Sequence, residues 1–223
     1  PSAATTTVRA AGSKLTERDA ERLAQVLFRN YQAGGADVSV AADYSGDISV
    51  NLDGQVDWAG HQGAFTVTST FADGRPQEVQ EVIYTEDAVY TKATPEQANA
   101  LAQAGHPGIR WIQRPPATDD RPLDQVIDLV ASLASTRPDN PQLVAQGDLS
   151  FDRTELVEGQ SADVYTSPKK GTYWLSSTSG RMVRFQGNLP GFAGPVVVDV
   201  SPAASVDVTV PAPATVADAS LLD

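Results

Sequence analysis

The feature that most constrains this chain is the spacing of its short alternating runs. Between Asp47 and Lys92, and again from about Leu143 to Val210, apolar and polar residues alternate in runs of strand length. Alternation with period two marks a strand that buries one face. The links between neighbouring runs are short, whereas a parallel crossover needs a dozen residues or more. Neighbouring strands must therefore pair antiparallel. Stretches with helical period precede and interrupt the strands. The chain thus reads as α+β, with helices against one face of a large antiparallel sheet.

The first helix is expected over residues 16–33, where Ala20, Leu23, Ala24, Leu27 and Tyr31 share a face. Thr16 with Asp19 forms a capping box, and Gly34-Gly35 ends the helix. Ile48, Val50 and Leu52 then alternate with polar residues. Asp53-Gly54 reads as a hairpin turn, with Val56 and Trp58 on its far side. Phe65, Val67 and Phe71 form the next strand, closed by Asp73-Gly74. Two short strands flank Thr85-Glu86-Asp87. Thr94, Pro95 and Gln97 open a helix that Gly105 and Pro107 stop. GIRWIQRPP is a short strand closed by prolines. Leu123, Val126, Ile127 and Val130 form the stripe of a further helix. From about Leu143 the chain reads as strand throughout, ending in VDVTV.

At 223 residues the chain is long enough for one large domain with a real core. Its net charge of −12 repels phosphate backbones, so nucleic acid is not an expected partner. There is no cysteine, which removes disulfides, thiolate metal sites and Cys nucleophiles. The G-x-S-x-G elbow, the P-loop and the G-x-G-x-x-G turn are all absent from the sequence. His61 and His106 each sit beside glycine in expected loops, without metal-ligand spacing, so no metal or cofactor is expected. Asp119-Asp120 and Glu86-Asp87 fit turns and helix starts better than acid–base pairs. The expectation is a protein that is not an enzyme.

Most aromatics fall on the expected strands: Trp58, Phe65, Phe71, Tyr84, Tyr90, Trp111, Tyr165 and Trp174. Singly, each is explained by packing of the sheet on its helices. Together they suggest more apolar surface than a curved sheet fills with its own side chains, and the surplus becomes an apolar cavity.

Four stretches carry a family resemblance. GTYWLSSTSGRMVRF, with Tyr173-Trp174-Leu175, the Ser179-Gly180 turn and Arg181 to Phe185, resembles the late strand–turn–strand of bacterial envelope lipoproteins of the LppX/LprG type, within the LolA-like fold. VIYTEDAVYTK resembles that family's hairpin ending in an aromatic. GIRWI resembles its Trp-bearing strand, and VDVTVPAPATVAD its final strand and proline-containing exit. The likeness runs from about residue 15 to 220 and rests on element order plus weak motifs.

The resemblance implies a large curved antiparallel β-sheet, a half-barrel, with helices packed on its concave face. It divides the chain into an N-terminal tether, residues 1–14, and a single LolA-like lipoprotein domain, residues 15–223. It implies non-catalytic binding and carrying of a lipid or lipidated molecule at the cell envelope, outside the cytoplasm, by a monomer. Family members are anchored through a lipid on an N-terminal Cys. This sequence has none, so the resemblance places a membrane anchor upstream of Pro1, unless the protein never carried one. Acyl chains would leave water for the concavity, worth about 0.8 kcal/mol per methylene. The expected lining is Ile48, Val50, Leu52, Trp58, Phe65 and Val67 from the first strands, then Tyr84, Tyr90 and Trp111, with Val126, Ile127 and Val130 from the capping helix. The loop with Leu189 and Phe192 is expected to border the mouth. The alternative is an envelope protein-interaction or signal-sensing module whose cavity is small or filled; a purely structural domain is a third.

Overall fold

The computed structural model describes residues 9–222. The chain runs β1 (Ser13–Lys14), α1 (Glu17–Ala33), β2 (Gly35–Tyr44), β3 (Ile48–Asp57), β4 (Gln62–Phe71), β5 (Glu78–Thr85) and β6 (Val89–Lys92). It continues through α2 (Pro95–Gln103), β7 (Trp111–Arg114), α3 (Pro122–Ser132) and α4 (Pro141–Gln146). The second half holds β8 (Ser150–Val157), β9 (Gln160–Ser167), β10 (Gly171–Ser176), β11 (Met182–Gly187), β12 (Val196–Ser201) and β13 (Val216–Asp218). All the strands join one open 13-stranded sheet, ordered β1-β8-β9-β10-β11-β12-β2-β3-β4-β5-β6-β7-β13. Every pairing is antiparallel except β13 on β7. The fold is the expected α+β curved sheet with helices on one face.

Two meanders, β2 to β7 and β8 to β12, meet where β12 pairs with β2. The register aligns the apolar sets: Val198 faces Val40, Val40 faces Leu52, and Leu52 faces Val67. A slip of one residue would turn each strand's buried set to the outside. These residues share a core with Leu23, Ala24 and Val26 of α1 and with Val126, Ile127 and Val130 of α3. The face carrying α1 and α3 is the inner face. A smaller cluster at the far edge packs Leu101 of α2 on Ile112 and Ala217.

Helix boundaries follow their caps. The Thr16 hydroxyl accepts from Asp19 N while the Asp19 carboxylate accepts from Thr16 N. The same box joins Thr94 and Gln97 at α2. Asp19 is buried and also accepts from Tyr165 Oη at 2.7 Å and Arg9 Nη1 at 2.6 Å. Burial alone would raise its pKa, but the bonds from Thr16, Tyr165 and Arg9 outweigh it and hold the carboxyl below its ordinary range.

Four local readings are corrected. Asp53-Gly54 is not a turn: β3 runs straight through it, and the reversals lie at Ser45-Gly46 and near His61. Gly54 is there because a Cβ would strike the Ala64 carbonyl on β4. Residues 141–146 form α4 rather than strand, opened by Asn140, whose side chain accepts from Gln142 N, and by Pro141. VDVTV is not a strand. It belongs to a strap, residues 202–215, which passes over the outer face at Gln55; that side chain donates to Ser205 O and accepts from Asp207 N. The strap delivers β13 parallel to β7, a crossover long enough to allow it. Of the expected tether, residues 1–8 lie outside the described residues. Arg9 to Lys14 is built into the fold, with Ser13 and Lys14 paired on β8.

Candidate functional site

α3 is held over the inner face at three points. Arg114 points inward from β7 and grips the buried Asp124 with two bonds of 2.6 Å, while Ala117 N donates to the same carboxylate at 2.7 Å. Trp58 Nε1 donates to Val130 O at 3.0 Å. Beyond the helix end, Asn30 of α1 donates to Leu133 O at 2.7 Å.

Beneath α3 lies a cavity of about 220 Å³. The helix contributes Asp124, Ile127, Asp128 and Ala131, spaced so that they form one stripe. The sheet contributes Tyr84 and Thr85 from β5 and Val89 from β6. Loops complete it with Trp58, just past the end of β3, and with His61, Glu86, Pro116 and Thr118. The floor is therefore aromatic and aliphatic, and the mouth is polar.

Tyr84 is a deeply buried polar group of the lining. It is only 6% exposed, and its ring stacks on Phe65 with centroids 5.9 Å apart and planes 2° off parallel. Burial first, then the nearby Asp57 and Asp128 carboxylates, push its pKa well up, so the phenol keeps its proton. Among the described residues nothing hydrogen-bonds its hydroxyl. At the rim, Glu86 and Asp128 are exposed and have no ion pair among the described residues. The Arg114 guanidinium is committed to Asp124.

The expected lining residues separate into four groups. Trp58, Tyr84 and Ile127 come together around the cavity. Leu52, Phe65, Val67, Val126 and Val130 are buried core: their side chains fill the space between sheet and helix. Ile48 and Val50 lie half-buried toward the other end of β3, beside the Phe71 end of β4. Tyr90 and Trp111 lie on the opposite face, because Val82 and Tyr84 point inward and Tyr90 pairs with Ile83, one residue out of phase. Tyr90 instead borders an outer groove beneath the strap with Gln113 and Val210.

The Leu189–Phe192 loop is also elsewhere. Both side chains pack on the core, and Phe192 meets Tyr44 edge-on at 5.7 Å between centroids. Sequence reasoning missed Val89, Ala131 and the polar rim. Ala131 was legible as the next residue of the α3 stripe. The rim was not, because Glu86 and His61 read as ordinary turn residues.

A larger groove of about 640 Å³ opens between β4, β5 and the start of α2. It is broad, and Glu78, Gln80, Glu81 and Lys92 crowd its walls. It lacks the aromatic floor of the α3 cavity. Among the described residues no group of three or more His, Cys, Asp or Glu is placed to hold a metal ion. No helix there is long and apolar enough to cross a membrane.

No family model matches the sequence, and no curated protein matches it. Among solved structures, the chain is similar to an uncharacterized conserved protein from Thermus thermophilus over 88% of its length and 94% of that chain, at 10% identity and a TM-score of 0.38. It is similar to MucB over 86% of its length and 61% of that chain, at 13% identity and a TM-score of 0.38. LprF from Mycobacterium bovis matches over 90% of this chain and 100% of its own, at 17% identity and a TM-score of 0.49.

Proposed function

We propose that this protein is a non-catalytic carrier of an acylated lipid or other apolar ligand, working outside the cytoplasm at a bacterial cell envelope. The ligand's entry is the cavity beneath α3. The observation that carries this reading is the cavity's build, with Trp58, Tyr84, Val89 and Ile127 walling a polar-mouthed space between sheet and helix. The motif resemblance at residues 173–185 and in the flanking elements supports the same class.

The cavity's size sets a condition. Ligand pockets usually measure roughly 300–1,000 Å³, and this one holds about 220 Å³. A full acyl chain enters only if α3 lifts, since Val126 and Val130 otherwise fill the space along Leu52 and Val67. Each methylene that then leaves water contributes about 0.8 kcal/mol toward holding the helix away.

The same volume favours a second reading, an envelope protein-interaction module with a filled interior. It has its own surface feature. β1 pairs only with Ser150 and Phe151, so β8 from Asp152 to Val157 has an open edge among the described residues. Leu156 on that edge is 72% exposed.

A neutral diacylglycerol with an environment-sensitive fluorophore on one chain separates the two. Titrated into delipidated protein, it should bind saturably, and Ala131→Trp, which fills the cavity from the helix side, should abolish binding while the protein stays folded. Binding unchanged by Ala131→Trp would place the ligand elsewhere. Absence of any uptake would favour the interaction module.

A further inference from the structure

The chemistry of the cavity mouth goes further than an apolar pocket requires. Three acidic groups surround it: Asp124, Asp128 and Glu86. Asp124 is neutralised by Arg114, which leaves Asp128 and Glu86 as net negative charge. Asp57, just outside, adds a third carboxylate whose oxygens accept from Gly60 N and Gln62 Nε2. His61 is the one basic side chain in the lining among the described residues. Below the carboxylates, Trp58 and Tyr84 supply aromatic surface. Tyr84 is more than nine-tenths buried, and its hydroxyl has no partner among the described residues.

Carboxylates only accept hydrogen bonds, and a phenol oxygen accepts as well as donates. Two unpaired carboxylates leave the mouth with negative charge that the neutral hydroxyls of Thr85, Thr118 and Tyr84 do not offset, so it is short of positive charge and of charged donors. Its complement is a ligand end that brings both. An ammonium group does, and it is further favoured against aromatic surface. A carboxylate or phosphate end meets like charge, with the Arg114 guanidinium already committed to Asp124.

We propose that the cavity beneath α3 is a headgroup site selective for cationic amphiphiles, with Asp128 and Glu86 binding the ammonium, Tyr84 accepting one of its hydrogens, and anionic amphiphiles rejected. The proposal rests on the carrier reading above and specifies which ligands it admits.

Decylammonium, monodecanoylglycerol and decanoate have chains of similar length and differ mainly in the charge of the polar end. Each is titrated calorimetrically into the delipidated protein at pH 7.5 and low salt, below its micelle concentration. Decylammonium should bind at least about tenfold tighter than decanoate, since the attraction gained by the cation and the repulsion met by the anion add over two carboxylates. The Glu86→Gln/Asp128→Asn double variant alters two exposed side chains. It should keep its melting temperature and lose the preference for the cation. Tyr84→Phe should weaken decylammonium several-fold and leave monodecanoylglycerol weakened less. Equal affinities, or tighter decanoate, overturn the charge selection and leave the apolar carrier standing. A preference that survives the double variant also overturns it. No binding by any of the three overturns the carrier reading and the selection with it.

Discussion

Replacing Asp124 with Asn tests whether α3 is held where the structure puts it. The Asp124 side chain is 1% exposed and that of Arg114 is 13% exposed. Removing one charge of such a pair leaves the other buried without its counterion, which typically costs about 3–5 kcal/mol. Asn keeps one acceptor for Arg114 or Ala117 N, so the loss falls near the lower limit, about 3 kcal/mol. For a chain of this length each kcal/mol moves the melting temperature by roughly 2–4 °C, so the midpoint should fall by about 6–12 °C. Differential scanning calorimetry reads this directly. The partner experiment is Arg114→Leu with Asp124→Leu, which removes both charges. It should return to within about 2 kcal/mol of the parent, because replacing a buried pair by apolar groups is often neutral and only Ala117 N loses its acceptor. A single-variant loss under about 1 kcal/mol, or a double variant as unstable as the single, would refute the clamp.

Three further outcomes are expected. Asp19→Asn should destabilise at pH 7, and its gap to the parent should shrink as pH falls: a carboxyl held below its ordinary range gives stability that is full above its unfolded-state titration and is lost as pH drops through the folded one. Parallel denaturant curves at pH 7 and pH 3 check this. Gln125→Met should stabilise by about 1 kcal/mol in urea, because Gln125 Oε1 is buried with no hydrogen-bond partner among the described residues. Gly54→Ala should cost about 1–3 kcal/mol, since its Cβ meets the Ala64 carbonyl and the Phe65 Cα, both backbone, which cannot move aside; thermal unfolding reads that loss.

Where two periodicities agreed with the caps, the sequence was enough. Thr16 and Thr94 each carry a capping box with a partner three residues on, so α1 and α2 were placed to the residue or nearly so. Turn glycines were harder. Gly54 and Gly46 look alike in sequence, and only the close approach of β4 separates a glycine kept for space from one kept for a positive φ of 74°. The strap was illegible because β-branched residues in VDVTV match a strand pattern, while Ser205 and Asp207 are held to the sheet by one side chain, Gln55, distant in sequence. The site failed in phase: Tyr84 and Tyr90 are both strand aromatics, but which face each takes depends on the register of β5 on β6. Only pairing sends one inward and the other out.

The most direct test of the carrier reading is native mass spectrometry of the protein purified from a bacterial host, repeated after solvent extraction. The account predicts an added mass of one acylated molecule, lost on extraction, regained on incubation with neutral or cationic lipid, and absent from Ala131→Trp. A clean apo mass that takes up neither phospholipid nor triacylglycerol would contradict it.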